Sequence, residues 1–500
     1  MEKEPKNEEN EELFTEKEGE IVEKGATELS SDAVLSSYGD RNPYQLWVFF
    51  AMAMCWCYIA PAGLLGPFAI GDMCINATTC NITVGSVIEE FNLVGDNAYA
   101  AEMAMTIPSL GNMIGSTILS HVSDVKGRRP VLLICIVGFG IFDLFSAFSP
   151  NIYVLSFLWM MRGVFSSGLG TINWVLAYES ASMGLRPLFS LIFGITWVVG
   201  YVAVPPLCYY IRYWRHQLLF TAIPPLSSAA VYYFTVPESF HLCVVKGRTA
   251  EVKRWYQRMN TFSRFKRETG EVQKLIEQHQ EHKVKGNEAE VVTKGLISGI
   301  MHNRLIQLYI VVFAYTWATD SFVYSGLHII STSLAGNKYW NFALGGLIEI
   351  PSYLVCPYLL ETVGRRAFGA STHLLTFIAF MATVFIDNAM ASFVCWLIGK
   401  FAISCAFTAI FVYASEVFPT IYRSGCLGIC MFISCFGGIA AGAVRSMNAI
   451  SPHLPNVIFA LASLLAAALT MLLPETKGKE LPDNTEEMER FFGRKKCVKK

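Results

Sequence analysis

The feature that most constrains this chain is a set of motifs recurring at one fixed interval. Asp124-x-x-Gly127-Arg128-Arg129 returns as Glu361-x-x-Gly364-Arg365-Arg366, 237 residues later. Glu179 and Arg186 return at the same interval as Glu416 and Arg423, and Pro237-Glu238-Ser239 returns as Pro474-Glu475-Thr476. Chance can supply one charged echo, but three in one register require two equivalent halves. In an apolar chain, a repeat of this length points to a two-fold helical bundle around a central path.

Apolarity is what turns the repeat into a membrane fold. Hydrophobic residues make up 53% of the 500 and charged residues only 16%, where soluble domains carry about 25% charged. The mean hydropathy is +0.40. Between Leu46 and Leu473 lie twelve apolar stretches of roughly 17–25 residues, the length that crosses a bilayer core as a helix. The expected fold is an all-α membrane protein, with twelve transmembrane helices in two pseudo-symmetric six-helix halves at 46–236 and 305–473.

The near-neutral charge is unevenly spread. The linker 237–304 is basic, from Lys246 and Arg248 to Lys294 and Arg304, and the tail 474–500 ends in Arg494, Lys495, Lys496, Lys499 and Lys500. The loops on the opposite side hold few basic residues beyond Arg212, Arg215, Lys338 and Arg445. The positive-inside rule then places both termini in the cytosol. Residues 1–45, with Glu2, Glu4, Glu8, Glu9, Glu11 and Glu12, read as a disordered acidic cytosolic tail. No apolar stretch with a cleavage site precedes the first span, so that span is expected to direct insertion.

The loop 71–98 stands on the other side. It carries two glycosylation sequons, at Asn76 and Asn81, and two cysteines, Cys74 and Cys80, placed for a disulfide in an oxidising space. The remaining cysteines fall mostly in spans and read as small packing residues. Metal-ligand spacing is absent, and no cofactor is implied. A P-loop, a His-Glu-x-x-His pair and a nucleophile elbow are also absent, which argues against an enzyme.

Gly127 and Gly364 suit tight turns, and the arginines after them suit carboxylates or helix-terminal carbonyls. Asp124, Glu179, Glu361 and Glu416 are the natural acceptors for Arg128, Arg129, Arg186, Arg365, Arg366 and Arg423, together with Glu238 and Glu475. Such ion pairs at the cytosolic face would act as a gate. The plainer alternative is that the arginines only enforce topology.

The Asp-x-x-Gly-Arg-Arg turn resembles the signature of the major facilitator superfamily. Pro237-Glu238-Ser239, Glu416-Val-Phe-Pro419-Thr420-x-x-Arg423 and Leu473-Pro474-Glu475-Thr476-Lys477-Gly478 resemble its organic cation/anion/zwitterion transporters, which share some of these motifs with sugar porters. Glu90-Phe91-Asn92-Leu93-Val94, Thr319-Asp320-Ser321-x-x-Tyr324-x-Gly326-Leu327 and Gly336-Asn337-x-Tyr339 followed by Glu349-Ile350-Pro351 favour the former. Ser120, Pro357, His241 and the short loop 71–98 depart from the pattern and mark a divergent member. The resemblance implies transport of small organic solutes by alternating access across the plasma membrane. Its expected partners are the solute, the lipid bilayer and a coupling ion, with no nucleic acid.

Ionisable residues inside spans usually line the interior. Asp320, Glu349, Lys400 and Arg445 are four such groups. Asp320 and Glu349 match acids of cation carriers by motif, and Trp317, Phe322 and Tyr324 lie close to Asp320 in sequence. Together with Cys435, at a position where relatives carry a charge, they form the expected substrate site, suited to an organic cation or zwitterion through cation–π contacts. A structural pair between Asp320 and Lys400 is the alternative for the acid. Organic-anion or sugar transport, or a transport-dead receptor or scaffold, are the alternatives for the whole chain.

Overall fold

A computed structural model of the protein describes residues 31–71, 83–263, 274–276, 303–419, 422–479, 482 and 487–488. The sequons at Asn76 and Asn81, the cysteines Cys74 and Cys80, and residues 1–30 of the acidic tail lie outside the described residues. Ten helices are long and apolar enough to cross a membrane. Ala98–Lys126, with a more polar sequence, and Leu454–Thr470, only 17 residues long, complete a set of twelve spans. Large apolar side chains such as Phe148, Tyr210, Phe234, Tyr358 and Phe385 stand exposed on these helices, as a lipid-facing surface requires.

The spans, in order, are Pro43–Ile70, Ala98–Lys126, Arg128–Ser146, Ile152–Ser180, Phe189–Tyr210, Trp214–Thr235, Arg304–Ile330, Lys338–Val363, Arg365–Phe385, Ala389–Val417, Gly425–Ile450 and Leu454–Thr470. The repeat is written into their boundaries. The fourth and tenth spans each hold 29 residues, and both their ends are displaced by 237. The second and eighth spans stop at Lys126 and Val363, one residue before Gly127 and Gly364. Those glycines take φ values of 119° and 97°, a region that a side chain rarely enters.

Packing repeats as well. A Cβ on Gly200 of the fifth span would stand 2.4 Å from the Cys57 carbonyl of the first span. A Cβ on Gly437 of the eleventh span, 237 residues on, would stand 2.0 Å from the Ala318 carbonyl of the seventh. Both glycines let backbones approach where a side chain would part them. At another pair of equivalent positions the halves solve one problem differently. Asp143 and Arg162 form a buried ion pair at 2.8 Å, with Thr221 donating to the second Asp143 oxygen at 2.6 Å. Their repeat positions hold Phe380 and Gly399, where the ring fills the space that the glycine leaves.

The chain packs as two compact units. One comprises Ala51–Val175, Leu188–Val236 and Glu290–Lys500, and so contains most of every span. The other comprises Met1–Phe50, Leu176–Pro187 and Pro237–Ala289. This second unit corrects two expectations. Ser31–Ser37, read from composition as part of a disordered tail, is a helix, and its Asp32 pairs with Arg186 at 2.6 Å. The basic linker contains two helices, Phe240–Val245 and Thr249–Phe262. The apolar face of the latter turns Trp255 and Tyr256 onto Tyr38, Tyr44 and Phe240. Burying these rings is the gain that composition, which counts charge but not its spacing, could not reveal.

Candidate functional site

The eighth span is interrupted at Ile348 because Pro351 lacks the N–H that would bond the Leu347 carbonyl. Glu349 therefore sits in the first turn of the helix segment that follows, where the helix dipole favours a carboxylate. It is fully buried and pairs with Lys400 of the tenth span at 2.8 Å. Lys400 also lies 3.6 Å from the centre of the Tyr324 ring and donates to His328 Nε2 at 3.2 Å. With Nε2 accepting, His328 donates from Nδ1 to the Tyr201 hydroxyl at 2.9 Å. The Glu349 carboxylate accepts from the Tyr324 hydroxyl at 3.1 Å, and that hydroxyl accepts from Trp197 Nε1 at 3.1 Å. Each member of one buried ion pair is thus tied through an intermediate to the fifth span.

Around this centre runs a line of half-buried rings. Trp56 meets Trp197 edge-on at 5.8 Å, and Phe407 stacks on Tyr324 at 5.6 Å. The rings come from the first, fifth, seventh and tenth spans, so both halves contribute. The repeat positions of Glu349 and Lys400 are Asn112 and Gly163, which makes the charged centre a property of the second half alone.

Of the residues expected to bind solute, Tyr324 and Glu349 come together here, but the others do not. Asp320 turns away to His373 of the ninth span, with Oδ1 2.9 Å from Nε2. Trp317 is buried against Phe411, and Phe322 packs on Phe459. Cys435, half-buried, donates from Sγ to the Met431 carbonyl of its own helix. The alternative pairing of Asp320 with Lys400 is corrected too, since each has a different partner. Sequence proximity misled because one helical turn separates Asp320 from Tyr324 while their side chains reach different spans. His328, His373, Tyr201 and Trp197 were missed. The rule for ionisable groups within spans applies equally to the two histidines, and to Asp143 and Arg162, and would have found them.

The repeated motifs form local clusters. Arg128 pairs with Asp124, and Arg129 donates to the Tyr233 carbonyl. Arg365 pairs with Glu361 at 2.6 Å and with Glu416 at 3.0 Å. Ser239 donates to Glu179 at 2.6 Å, and Thr476 donates to Glu416 at the same distance 237 residues on. Arg423 donates to the Phe418 carbonyl at 3.3 Å. The Glu475 carboxylate accepts from the backbone N–H groups of Arg365 at 2.8 Å and Arg366 at 3.1 Å, capping the ninth span. Partial burial pushes its pKa up, but the backbone hydrogen bonds from Lys477, Arg365, Arg366 and Thr476 outweigh this and hold it below the usual carboxylate range.

At the opposite ends of the spans the halves are latched. Glu102 of the second span accepts from Ser446 N at 2.6 Å and from Ser446 Oγ at 2.5 Å. Arg445 donates to the carbonyls of Gly71 and Pro67, the latter at 3.1 Å. Phe68 stacks on Tyr339 at 5.6 Å beside them.

Two repeated halves, a charged centre between them and a latch at one end constitute the geometry of a carrier, and comparison with known proteins agrees. The description of the Major Facilitator Superfamily matches residues 68–443. The chain belongs to this superfamily. A Caenorhabditis elegans protein provisionally named a transporter is 32% identical over 459 residues, 92% of this chain and 91% of that one. Solute carrier family 22 member 15-like of Xenopus laevis is 30% identical over 81% of this chain and 82% of its own. The organic cation transporter protein of Drosophila melanogaster is 27% identical over 82% of this chain and 75% of its own. Within the superfamily the chain is therefore a member of the organic cation/anion/zwitterion solute carriers. The inward-open xylose transporter XylE of E. coli shares the fold, with a TM-score of 0.68 at 16% identity over 90% of this chain and all of that one. The protein is a multi-pass membrane transporter.

Proposed function

We propose that this transporter moves small organic cations or zwitterions by alternating access. Transport follows from the family. The choice of cargo rests on one observation, the line of half-buried rings of Trp56, Trp197, Tyr324 and Phe407 around the Glu349–Lys400 pair. Lys400 already places an ammonium over the Tyr324 ring, so that face accepts a cation, at about 0.5–2 kcal/mol per contact. Cargo with a positive head group would compete for the same ring and for Glu349. The Drosophila relative's name points the same way.

In this reading the halves run 46–236 and 305–473, both termini are cytosolic and the membrane is the plasma membrane. The loop 71–98 faces outward, with Asn76 and Asn81 glycosylated and Cys74 bonded to Cys80. The Glu102–Ser446 latch then closes the outer end, while the arginine clusters at Asp124–Arg129, Glu179–Arg186, Glu361–Arg366 and Glu416–Arg423 act at the cytosolic end. The charge asymmetry of the sequence supports that assignment. Uptake of radiolabelled tetraethylammonium, glycine betaine, hippurate and xylose into cells expressing the protein tests the cargo. Tetraethylammonium or glycine betaine should enter, with uptake reduced in Tyr324→Ala, whereas uptake of hippurate or xylose alone would refute the assignment.

A further inference from the structure

We infer that Asp320 and His373 form a proton-binding site that the transporter loads and empties as it cycles. Both side chains are buried, at 0% and 2% exposure. His373 Nδ1 lies 2.7 Å from the Gly369 carbonyl, which only accepts, so Nδ1 must carry a hydrogen. Nε2 faces Asp320 Oδ1 at 2.9 Å. A neutral ring with its hydrogen on Nδ1 would set a bare Nε2 lone pair against a carboxylate, and two acceptors at that distance repel. The contact therefore needs one further proton, held either by Nε2 as imidazolium or by Asp320 as carboxylic acid. Asp320 Oδ2 is buried without a hydrogen-bond partner, which is costly for an ionised carboxylate and favours the acid form.

With that proton the pair is neutral, and without it the pair carries one negative charge. The spans packed around it offer no other compensating charge. On the tenth, Lys400 is engaged by Glu349, which the eighth span supplies, and the titratable Cys405 is a thiol that faces Cys356. The twelfth span, Leu454–Thr470, carries no Asp, Glu, Lys, Arg or His. The eleventh contributes the thiols Cys430 and Cys435 alongside Arg423 and Arg445, and Arg445 is directed to Gly71 and Pro67. The proton thus leaves only when a change of conformation brings water to the pair. Asp320 sits one helical turn from Tyr324, so movement of the seventh span that rearranges the solute site also moves the proton site. The repeat positions of Asp320 and His373 are Thr83 and Ile136, so the first half has no such pair.

The coupling, though not the site itself, rests on the transport reading above, and the test separates the two. Purified protein in nanodiscs is labelled with 15N-histidine and held at about pH 7.5, where a solvated histidine is neutral. Either an imidazolium signal absent from His373→Gln, or a carboxylic-acid carbonyl stretch absent from Asp320→Asn, is expected. Finding neither would overturn the site. In proteoliposomes, a proton gradient should change wild-type tetraethylammonium uptake several-fold, and the ratio with and without the gradient should fall to one in Asp320→Asn and His373→Gln. A ratio unchanged in both variants would overturn coupling. If tetraethylammonium is not carried at all, the cation assignment fails while the spectra still decide the proton site.

Discussion

Lys400 is the single residue whose loss should be felt most, because it neutralises Glu349 in a site without water access. Lys400→Gln leaves a buried carboxylate alone, at a cost of about 3–5 kcal/mol. Expression and thermal stability should fall sharply in that variant and recover in the Glu349→Gln, Lys400→Gln double variant. Combining Lys400→Gln with Asp320→Asn should give no recovery, since Asp320 belongs to His373. Recovery there would mean that the pairing described is wrong. A second residue-scale effect concerns pH. Glu475 is held below the usual carboxylate range by backbone donors, so its cap is fully formed above about pH 4.3, the unfolded value, and is lost as pH falls through the lower folded value. Glu475→Gln should destabilise by about 1 kcal/mol at neutral pH. Thermal unfolding in detergent should show the gap to wild type closing in acid. A gap independent of pH would assign the loss to shape rather than charge.

At the scale of elements, much was legible because both signals are periodic. Apolar runs of membrane length gave the spans, and the interval of 237 gave the equivalence that the fourth and tenth helices then reproduce end for end. What stayed hidden depends on which neighbour a side chain meets. Gly200 and Gly437 obey the same interval, yet a lone glycine in an apolar run carries no visible signal. Asp143 and Arg162 have no charged echo because Phe380 and Gly399 replace them by packing. Gly346 of the eighth span shows how specific such contacts are. A Cβ there would stand 1.8 Å from the Tyr201 ring of the fifth span. Gly346→Val should push these two spans apart. Disulfide trapping between Phe68→Cys and Tyr339→Cys should weaken in that background and return when Tyr201→Ala relieves the clash. Trapping unaffected by Gly346→Val would show that the helices yield elsewhere.

For the whole molecule, the balance between its two open states is the quantity that the latch controls. Glu102 and Arg445 join the halves through hydrogen bonds between charged groups and backbone or hydroxyl partners, a class that contributes about 1.5–3 kcal/mol each. Such contacts exist only while that end is shut, so they favour one state over the other by nearly their full strength. A loss of about 1.4 kcal/mol moves the equilibrium tenfold. Glu102→Gln keeps the shape but weakens both bonds from Ser446, and Arg445→Ala removes the donors to Gly71 and Pro67. Spin labels at Tyr99 and Ile450, both exposed at this end, report the opening without touching the latch. The long-distance population should rise in each variant and rise further in the double variant, with the increments adding in free energy, because the two sets of bonds share no atoms. Distances identical to wild type in all three would mean that the aromatic contacts of Phe68, Tyr339 and Phe342, rather than the charged groups, hold the end closed.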